Sequence, residues 1–257
     1  MTTVPAGGGR SDAEGGGAPD DRAGDAGIEW SRADVASVID HTLLRPETTA
    51  DEIVALCDEA SRLKVKAVCV SPTHVYLAAA AARRNGGTGG EPAYQVASVV
   101  GFPSGNHLTV IKAEEARRAV ADGADEIDMV IDPANAMDEN WQAMETEISE
   151  IRLSIPPHVI LKVILETALL PDGNIASACR AAEAAGAEFV KTSTGCRPAG
   201  GASLRAVRVM VETVGGRLGI KASGGIRTTA QALAYLDAGA TRLGLSASAT
   251  ILAGLPT

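Results

Sequence analysis

The chain has 257 residues, is 46% hydrophobic with only 3% aromatic side chains, and carries a formal charge of −9. Six acids against two arginines in the first thirty residues supply −4 of that charge, and no basic stripe remains to hold nucleic acid. Apolar runs stay short of the roughly 20 residues of a membrane span, and no charged n-region precedes an apolar h-region, so no membrane or signal segment is expected.

Residues 1–30 are a Gly-, Ala- and Asp-rich segment holding eight of the 28 glycines. Such a segment cannot bury enough surface to offset its ordering entropy, so a disordered tail is expected. Residues 31–257 are expected to form one domain. Ser31-Arg32-Ala33-Asp34 has the spacing of a capping box and opens a short helix. Val38 to Leu44 reads as a strand, Thr49 to Leu63 as an amphipathic helix and Ala67 to Val70 as a buried strand. An alanine-rich helix runs to about Arg84, and Gln95 to Phe102 is the third strand.

From there the alternation is regular. Helices are expected over Thr109–Asp122, Asn140–Leu153, Asp172–Ala185, Gly201–Val214 and Thr229–Ala238. Between them lie strands at Glu126–Ile131, Val159–Glu166, Phe189–Ser193, Leu218–Ser223 and Thr241–Leu245. Right-handed β-α-β crossovers make such a pattern a parallel α/β structure. Eight units at this length match a (β/α)8 TIM barrel, typically about 250 residues. An open doubly wound sheet would call for a G-x-G-x-x-G turn after an early strand, and the chain has none.

Two of these strands carry a lysine in a β-prone run that ends in glycine: Phe189-Val190-Lys191-Thr192-Ser193-Thr194-Gly195 and Gly219-Ile220-Lys221-Ala222-Ser223-Gly224-Gly225. Burying an ammonium is costly or drives its pKa down. Two lysines at matching places on consecutive strands raise the cost of protonating each other, leaving at least one neutral amine fit to attack a carbonyl. Alternation puts Glu126, Asp128 and Val130 on one face, Lys162, Ile164 and Glu166 on the next, then Lys191 with Ser193 and Lys221 with Ser223. Such charges are expected to meet in one polar cluster at the carboxyl ends of the strands, with Lys162 flanked by Asp128 and Lys191. A structural ion network without substrate is the plainer alternative; three lysines against few acids argue against it.

The glycine turns at 224–225 and 244 precede helices at the place where barrels often bind phosphate. The cysteines (57, 69, 179 and 196) lack metal-ligand spacing and fit reduced thiols of a cytoplasmic protein. Histidines 41, 74, 107 and 158 read as structural.

Taken together, Ile-Asp-His-Thr-Leu-Leu at 39–44, Val-Val-Gly-Phe-Pro-Ser-Gly at 99–105 and Gly-Ala-Asp-Glu-Ile-Asp-Met-Val-Ile at 123–131 resemble the 2-deoxyribose-5-phosphate aldolase family. Leu-Lys-Val-Ile-Leu-Glu-Thr at 161–167, Phe-Val-Lys-Thr-Ser-Thr-Gly at 189–195 and Gly-Ile-Lys-Ala-Ser-Gly-Gly-Ile-Arg-Thr at 219–228 extend the resemblance to the end of the chain. It implies a class I aldolase on a (β/α)8 barrel, cleaving 2-deoxy-D-ribose 5-phosphate to acetaldehyde and D-glyceraldehyde 3-phosphate without a metal or other cofactor. Lys191 matches the family's Schiff-base lysine, Lys221 the lysine that lowers its pKa, Asp128 the proton-handling acid and Lys162 the lysine beside it. Asp40, Cys69 and Thr192 match positions near the substrate. Gly195, Gly224, Gly225, Arg227, Gly244 and Ser246 are the expected phosphate and substrate contacts. Members of the family are often dimers, so a homodimer is the assembly the resemblance allows. Two departures bear on phosphate binding: the turn Cys196-Arg197-Pro198-Ala199-Gly200-Gly201 is long, and Ala247 stands where a second serine is usual. A different Schiff-base aldolase, or a sugar-phosphate binder without turnover, are the competing classes.

Overall fold

The computed structural model describes residues 29–86 and 89–256, so the tail expected over 1–30 lies outside the described residues except at its last two positions. Eight strands close into a barrel in chain order: β1 (Ile39–Leu43), β2 (Ala67–Val70), β3 (Gln95–Val100), β4 (Glu126–Val130), β5 (Ile160–Ile164), β6 (Phe189–Lys191), β7 (Gly219–Ser223) and β8 (Arg242–Leu245). All pair in parallel, and β8 returns to β1 through Asp40 opposite Gly244. Strands buried on both faces read as near-continuous apolar runs, which is why Ala67–Val70 could be recognised without alternation.

Among the described residues ten α-helices surround them: α1 (Arg32–Ala36), α2 (Ala50–Leu63), α3 (Val75–Arg84), α4 (Thr109–Ala121), α5 (Pro133–Met137), α6 (Trp141–Ser154), α7 (Asp172–Ala184), α8 (Leu204–Val214), α9 (Thr229–Asp237) and α10 (Ser248–Ala253). Their starts are written in the sequence. Ser31, Thr49 and Thr228 each form a complete capping box with Asp34, Glu52 and Gln231, worth about 1 kcal/mol apiece. Small side chains such as Ala78, Ala79, Ala81 and Ala82 of α3 are buried and let helices approach the sheet closely.

Several elements differ from the expected bounds, each for a local reason. β5 stops at Ile164, because Glu166 takes a left-handed backbone (φ 57°) and opens a 3-10 turn over Thr167–Leu169. β3 stops at Val100, before the positive-φ Gly101. The helix expected from Gly201 begins at Leu204 with Ser203 as its cap. Gly201 is held in backbone contact with the next loop: a Cβ there would lie 2.2 Å from the Gly224 carbonyl oxygen. α5 was not anticipated; Asp132 caps it from the side chain and Pro133 sits at its first turn.

The barrel interior has two unlike halves. On the β2–β3 side Cys69, Ala97 and Val99 form a small apolar cluster roofed by Leu44 and Phe102. The remaining strands send charge inward: Asp40, Glu126, Asp128, Lys162, Lys191, Lys221 and Arg242 are all buried. Glycine makes room for two of the larger groups. A Cβ on Gly219 would come 2.2 Å from the Phe189 ring, and one on Gly244 would come 2.9 Å from Cε of Lys221.

Gly219→Ala is therefore expected to destabilise the barrel by about 1–3 kcal/mol through overpacking, read as a lower urea midpoint. Adding Phe189→Leu to the same chain should recover part of the loss, because it withdraws the ring atoms that the new methyl meets.

Candidate active site

The charged half of the barrel is a single network. Asp128 lies opposite Lys162 across β4–β5, and Lys191 lies opposite Lys221 across β6–β7. Lys162 and Lys191 do not flank one another, since Lys162 pairs in register with Phe189 and Lys191 with Ile164. Lys191 thus stands one layer above Lys162, nearer the carboxyl ends of the strands. The Asp128 carboxylate joins them. Its Oδ1 accepts from Lys162 Nζ at 2.8 Å, and its Oδ2 accepts from Lys191 Nζ and Lys221 Nζ, both at 2.7 Å.

Beneath this layer are two further acids and an arginine. Lys221 also donates to Asp40 Oδ2, and Lys162 pairs with Glu126 and stands 3.9 Å from Asp40. The Arg242 guanidinium donates to Asp40 Oδ1 at 2.7 Å and to both Glu126 oxygens at 3.1–3.2 Å. The cluster therefore reaches deeper than the carboxyl ends of the strands. Glu126 was legible on the Asp128 face but not assigned to the site. Arg242 was overlooked, although its alternation with Gly244 marks it as inward-facing.

The protonation states follow from this geometry. Burial favours the neutral form of Asp128, but the ammoniums of Lys162, Lys191 and Lys221 outweigh it and hold the carboxyl well below its ordinary value. The same balance, through Lys221, Lys162 and Arg242, lowers Asp40. Lys221 and Lys162 are likewise desolvated, yet their carboxylate partners raise both above the ordinary lysine value. Lys191 goes the other way. Burial lowers it, Asp128 is its one carboxylate partner, and the Lys221 charge lowers it further. The two matched lysines thus divide the roles: Lys221 stays an ammonium, and Lys191 is the amine most easily freed of its proton.

A cavity of about 680 Å³ opens over Lys191 at the carboxyl ends of the strands. Of the three clustered lysines, Lys191 alone lines it; Asp128, Lys162, Lys221 and Asp40 form its subfloor. Gly195, Gly224, Gly225, Arg227, Gly244 and Ser246 all line the cavity, together with Arg45 and the apolar Leu44 and Phe102. Gly195 and Gly224 also touch backbone to backbone, since a Cβ on Gly224 would lie 3.0 Å from Gly195 Cα. Their positive φ values, 80° and 93°, are open to glycine at little cost.

Three positions expected near the substrate do not line the cavity: Asp40 lies beneath it, paired with Lys221 and Arg242, and Thr192 and Cys69 are turned into the wall. Thr192 is fully buried, and its hydroxyl is exchanged with the Ser223 backbone, accepting from N at 3.1 Å and donating to O at 3.2 Å. It clamps β6 to β7 rather than facing the cavity. Cys69 sits below the cavity in the apolar cluster, where burial pushes its thiol upward. Ser248 also points away, its hydroxyl 2.7 Å from Nδ1 of a buried His41 that reaches Glu59 on its other side. Ser246 is therefore the last-turn hydroxyl beside the cavity, where it donates to the Thr42 carbonyl at 2.9 Å. Glu166, expected beside Lys162, instead accepts from the Thr194 hydroxyl at 2.6 Å and backbone at 3.3 Å, fixing the turn after β6. Among the described residues, no three His, Cys, Asp or Glu side chains converge as a metal site, and no helix is long and apolar enough to cross a membrane.

A closed parallel barrel with a buried amine at the floor of a cavity and glycine turns at its rim is an arrangement suited to carbonyl chemistry. Residues 34–253 match the model of the DeoC/LacD family of aldolases, and the chain belongs to that family. A deoxyribose-phosphate aldolase of Frankia alni is 75% identical over 225 residues, covering 88% of this chain and 99% of that protein. One from Corynebacterium diphtheriae is 56% identical over 86% of this chain and 97% of its own length. Among solved structures, the tetrameric deoxyribose phosphate aldolase of Aeropyrum pernix superposes with a TM-score of 0.79 at 30% identity, covering 87% of this chain and 92% of that one.

Removing each lysine should move stability in opposite directions. The lowered Lys191 value means that the unfolded chain binds this proton more tightly, a cost present at pH 7 and relieved toward the ordinary lysine range. Lys191→Met should raise the melting temperature at pH 7, by about 2–4 °C for each kcal/mol recovered. Lys221 is raised instead, so its contribution is present at pH 7, and Lys221→Met should cost about 3–5 kcal/mol by leaving Asp40 and Asp128 short of a partner. The lowered Asp40 and Asp128 make the fold acid-labile: their contribution is present above about pH 4 and lost as pH falls further. Thermal melts of both variants at pH 7, and of the parent from pH 7 to 3, check these signs.

Proposed function

We propose that the protein is a Schiff-base aldolase that reversibly cleaves 2-deoxy-D-ribose 5-phosphate to acetaldehyde and D-glyceraldehyde 3-phosphate. The observation that carries this reading is the position of Lys191: it is the amine at the cavity floor, and it has the fewest carboxylate partners of the three lysines. Family membership supports the substrate, as do the glycine turns and the Arg45 and Arg227 charges around the cavity.

In this reading the neutral Lys191 nitrogen attacks C1 of the open-chain sugar. One proton passes from the nitrogen to the former carbonyl oxygen and a second is taken up there, so that the oxygen leaves as water and an iminium forms. The carbon count places the broken bond: acetaldehyde carries C1 and C2, and the triose carries C3 to C5, so cleavage falls between C2 and C3. The C3 hydroxyl loses its proton, a carbonyl forms at C3, and the C2–C3 electron pair moves onto C2 to give an enamine on Lys191. Protonation at C2 and hydrolysis of the resulting iminium release acetaldehyde and the free amine.

Asp128 is poorly suited to take the C3 proton by itself, because the Lys162 and Lys221 ammoniums make its carboxylate a weak base and it lies beneath Lys191. Its role in this mechanism is to anchor the reacting nitrogen and exchange protons there. A cavity water takes the hydroxyl proton. Lys221 and Lys162 keep Asp128 charged, and Lys221 lowers Lys191. Gly195, Gly224, Gly225, Gly244 and Ser246 receive the phosphate. Asp40 acts from below by fixing Lys221, while Cys69 and Thr192 shape the wall and the β6–β7 join. The setting this substrate implies is deoxynucleoside breakdown in the cytoplasm, and the family resemblance favours a homodimer.

Borohydride reduction in the presence of acetaldehyde should leave an ethyl group on the peptide containing Lys191, and Lys191→Ala should abolish it. An adduct on Lys221 or Lys162 would reassign the nucleophile; none in folded protein would leave a sugar-phosphate binder. With Ala247 in place of a second hydroxyl, Ser246→Ala should raise KM for the phosphorylated sugar several-fold with kcat little changed, whereas equal loss in both would remove Ser246 from the phosphate site.

A further inference from the structure

The network under the cavity contains four cationic side chains, Lys162, Lys191, Lys221 and Arg242, against three carboxylates, Asp40, Glu126 and Asp128. All seven are buried, so an uncompensated charge among them is expensive. Freeing one amine of its proton brings the two signs level. The carboxylate contacts decide which amine that is. Lys162 reaches all three acids, Lys221 reaches Asp40 and Asp128, and Lys191 has Asp128 alone, the acid already shared by the other two lysines.

Arg242 creates the shortage. Its guanidinium occupies one oxygen of Asp40 and both oxygens of Glu126, and its Cζ lies 5.4 Å from the centre of the Phe189 ring. Unlike a lysine, an arginine does not give up its proton inside a protein, so the excess cannot be relieved there. It can be relieved only at a lysine, and Lys191 is the least retained. The remaining group facing Lys191 from the barrel wall is the neutral Cys69 thiol of β2, with Cys196 on its own following turn.

We propose that Arg242 is a positioning residue for the aldolase reaction: by occupying Asp40 and Glu126 with a permanent charge, it keeps Lys191 neutral and nucleophilic near pH 7. It touches neither the cavity nor the substrate and acts through the two carboxylates. The proposal rests on the reading of Lys191 as the Schiff-base amine. It also gives the cycle an electrostatic rhythm. Iminium formation puts the positive charge back on the Lys191 nitrogen and makes the cluster one cation over, and C–C cleavage to the neutral enamine restores the balance.

The test is the pH dependence of acetaldehyde trapping at Lys191, followed by peptide mass after borohydride reduction, together with the acid limb of kcat/KM. Arg242→Met leaves three lysines for three carboxylates, so Lys191 should hold its proton and the acid limb should move up by about one pH unit or more, with about tenfold slower trapping at pH 7 and recovery at higher pH. Glu126→Gln changes the balance in the opposite sense and should move the limb down. The double variant should bring it back toward the parent. Far-UV circular dichroism establishes that each variant is folded, and if Arg242→Met does not fold, the direction given by Glu126→Gln decides. A purely structural Arg242 would lower the melting temperature and leave the limb in place; an unmoved limb in Arg242→Met, or an unmoved or raised limb in Glu126→Gln, overturns the proposal. Absence of a Lys191 adduct in the parent protein overturns the Schiff-base reading itself, which is a separate result.

Discussion

Seven ionisable side chains inside one small barrel must satisfy each other, and this requirement organises the molecule. A buried charge without a partner costs several kcal/mol, so each acid and base fixes the place of the next. Asp128 holds three lysines, Asp40 and Glu126 hold two of those lysines from below, and Arg242 closes the base of the network. The surrounding sequence accommodates it. Gly244 leaves space for the Lys221 stem, and the ring of Phe189 over Gly219 lies beside the guanidinium. The β2–β3 wall stays apolar, so the charged half has no competing partners on that side.

Most of the barrel was legible because its signals are local. The capping boxes at Ser31, Thr49 and Thr228 mark helix starts through backbone hydrogen bonds that depend on three neighbouring residues. The eight apolar runs mark strands through burial alone. The boundaries that shifted are set by contacts that no local pattern encodes. Gly201 cannot begin a helix because it lies against Gly224 from the following unit. Glu166 leaves its strand to receive Thr194, twenty-eight residues away in the chain.

The site was legible to the extent that its residues sit at strand ends beside glycine turns. Lys191, Lys221, Asp128 and Lys162 come together in one network, as alternation along their strands implies. Alternation also carried the information for Glu126 and Arg242, but these occupy the first positions of β4 and β8, far from the turns that drew attention. Neighbouring positions could not be sorted by motif alone. Thr192 and Ser248 stand within one or two residues of cavity-lining groups yet bond to backbone or to His41. A hydroxyl's direction is decided by the twist of its strand and the nearest unmet partner, and both are properties of the closed barrel.

The division of the interior into an apolar wall and a charged wall also bears on handedness. A planar enamine suspended from Lys191 would have Leu44 and Phe102 on the side of the β1 and β3 loops and the polar turns after β6, β7 and β8 on the other. Its two faces would then be chemically distinct, and an incoming aldehyde whose phosphate sat at the glycine turns would meet one of them first. The same asymmetry that keeps the charges together would make carbon–carbon bond formation in the reverse direction stereoselective, with the sense of the new centre set by the architecture of the walls rather than by any single catalytic group.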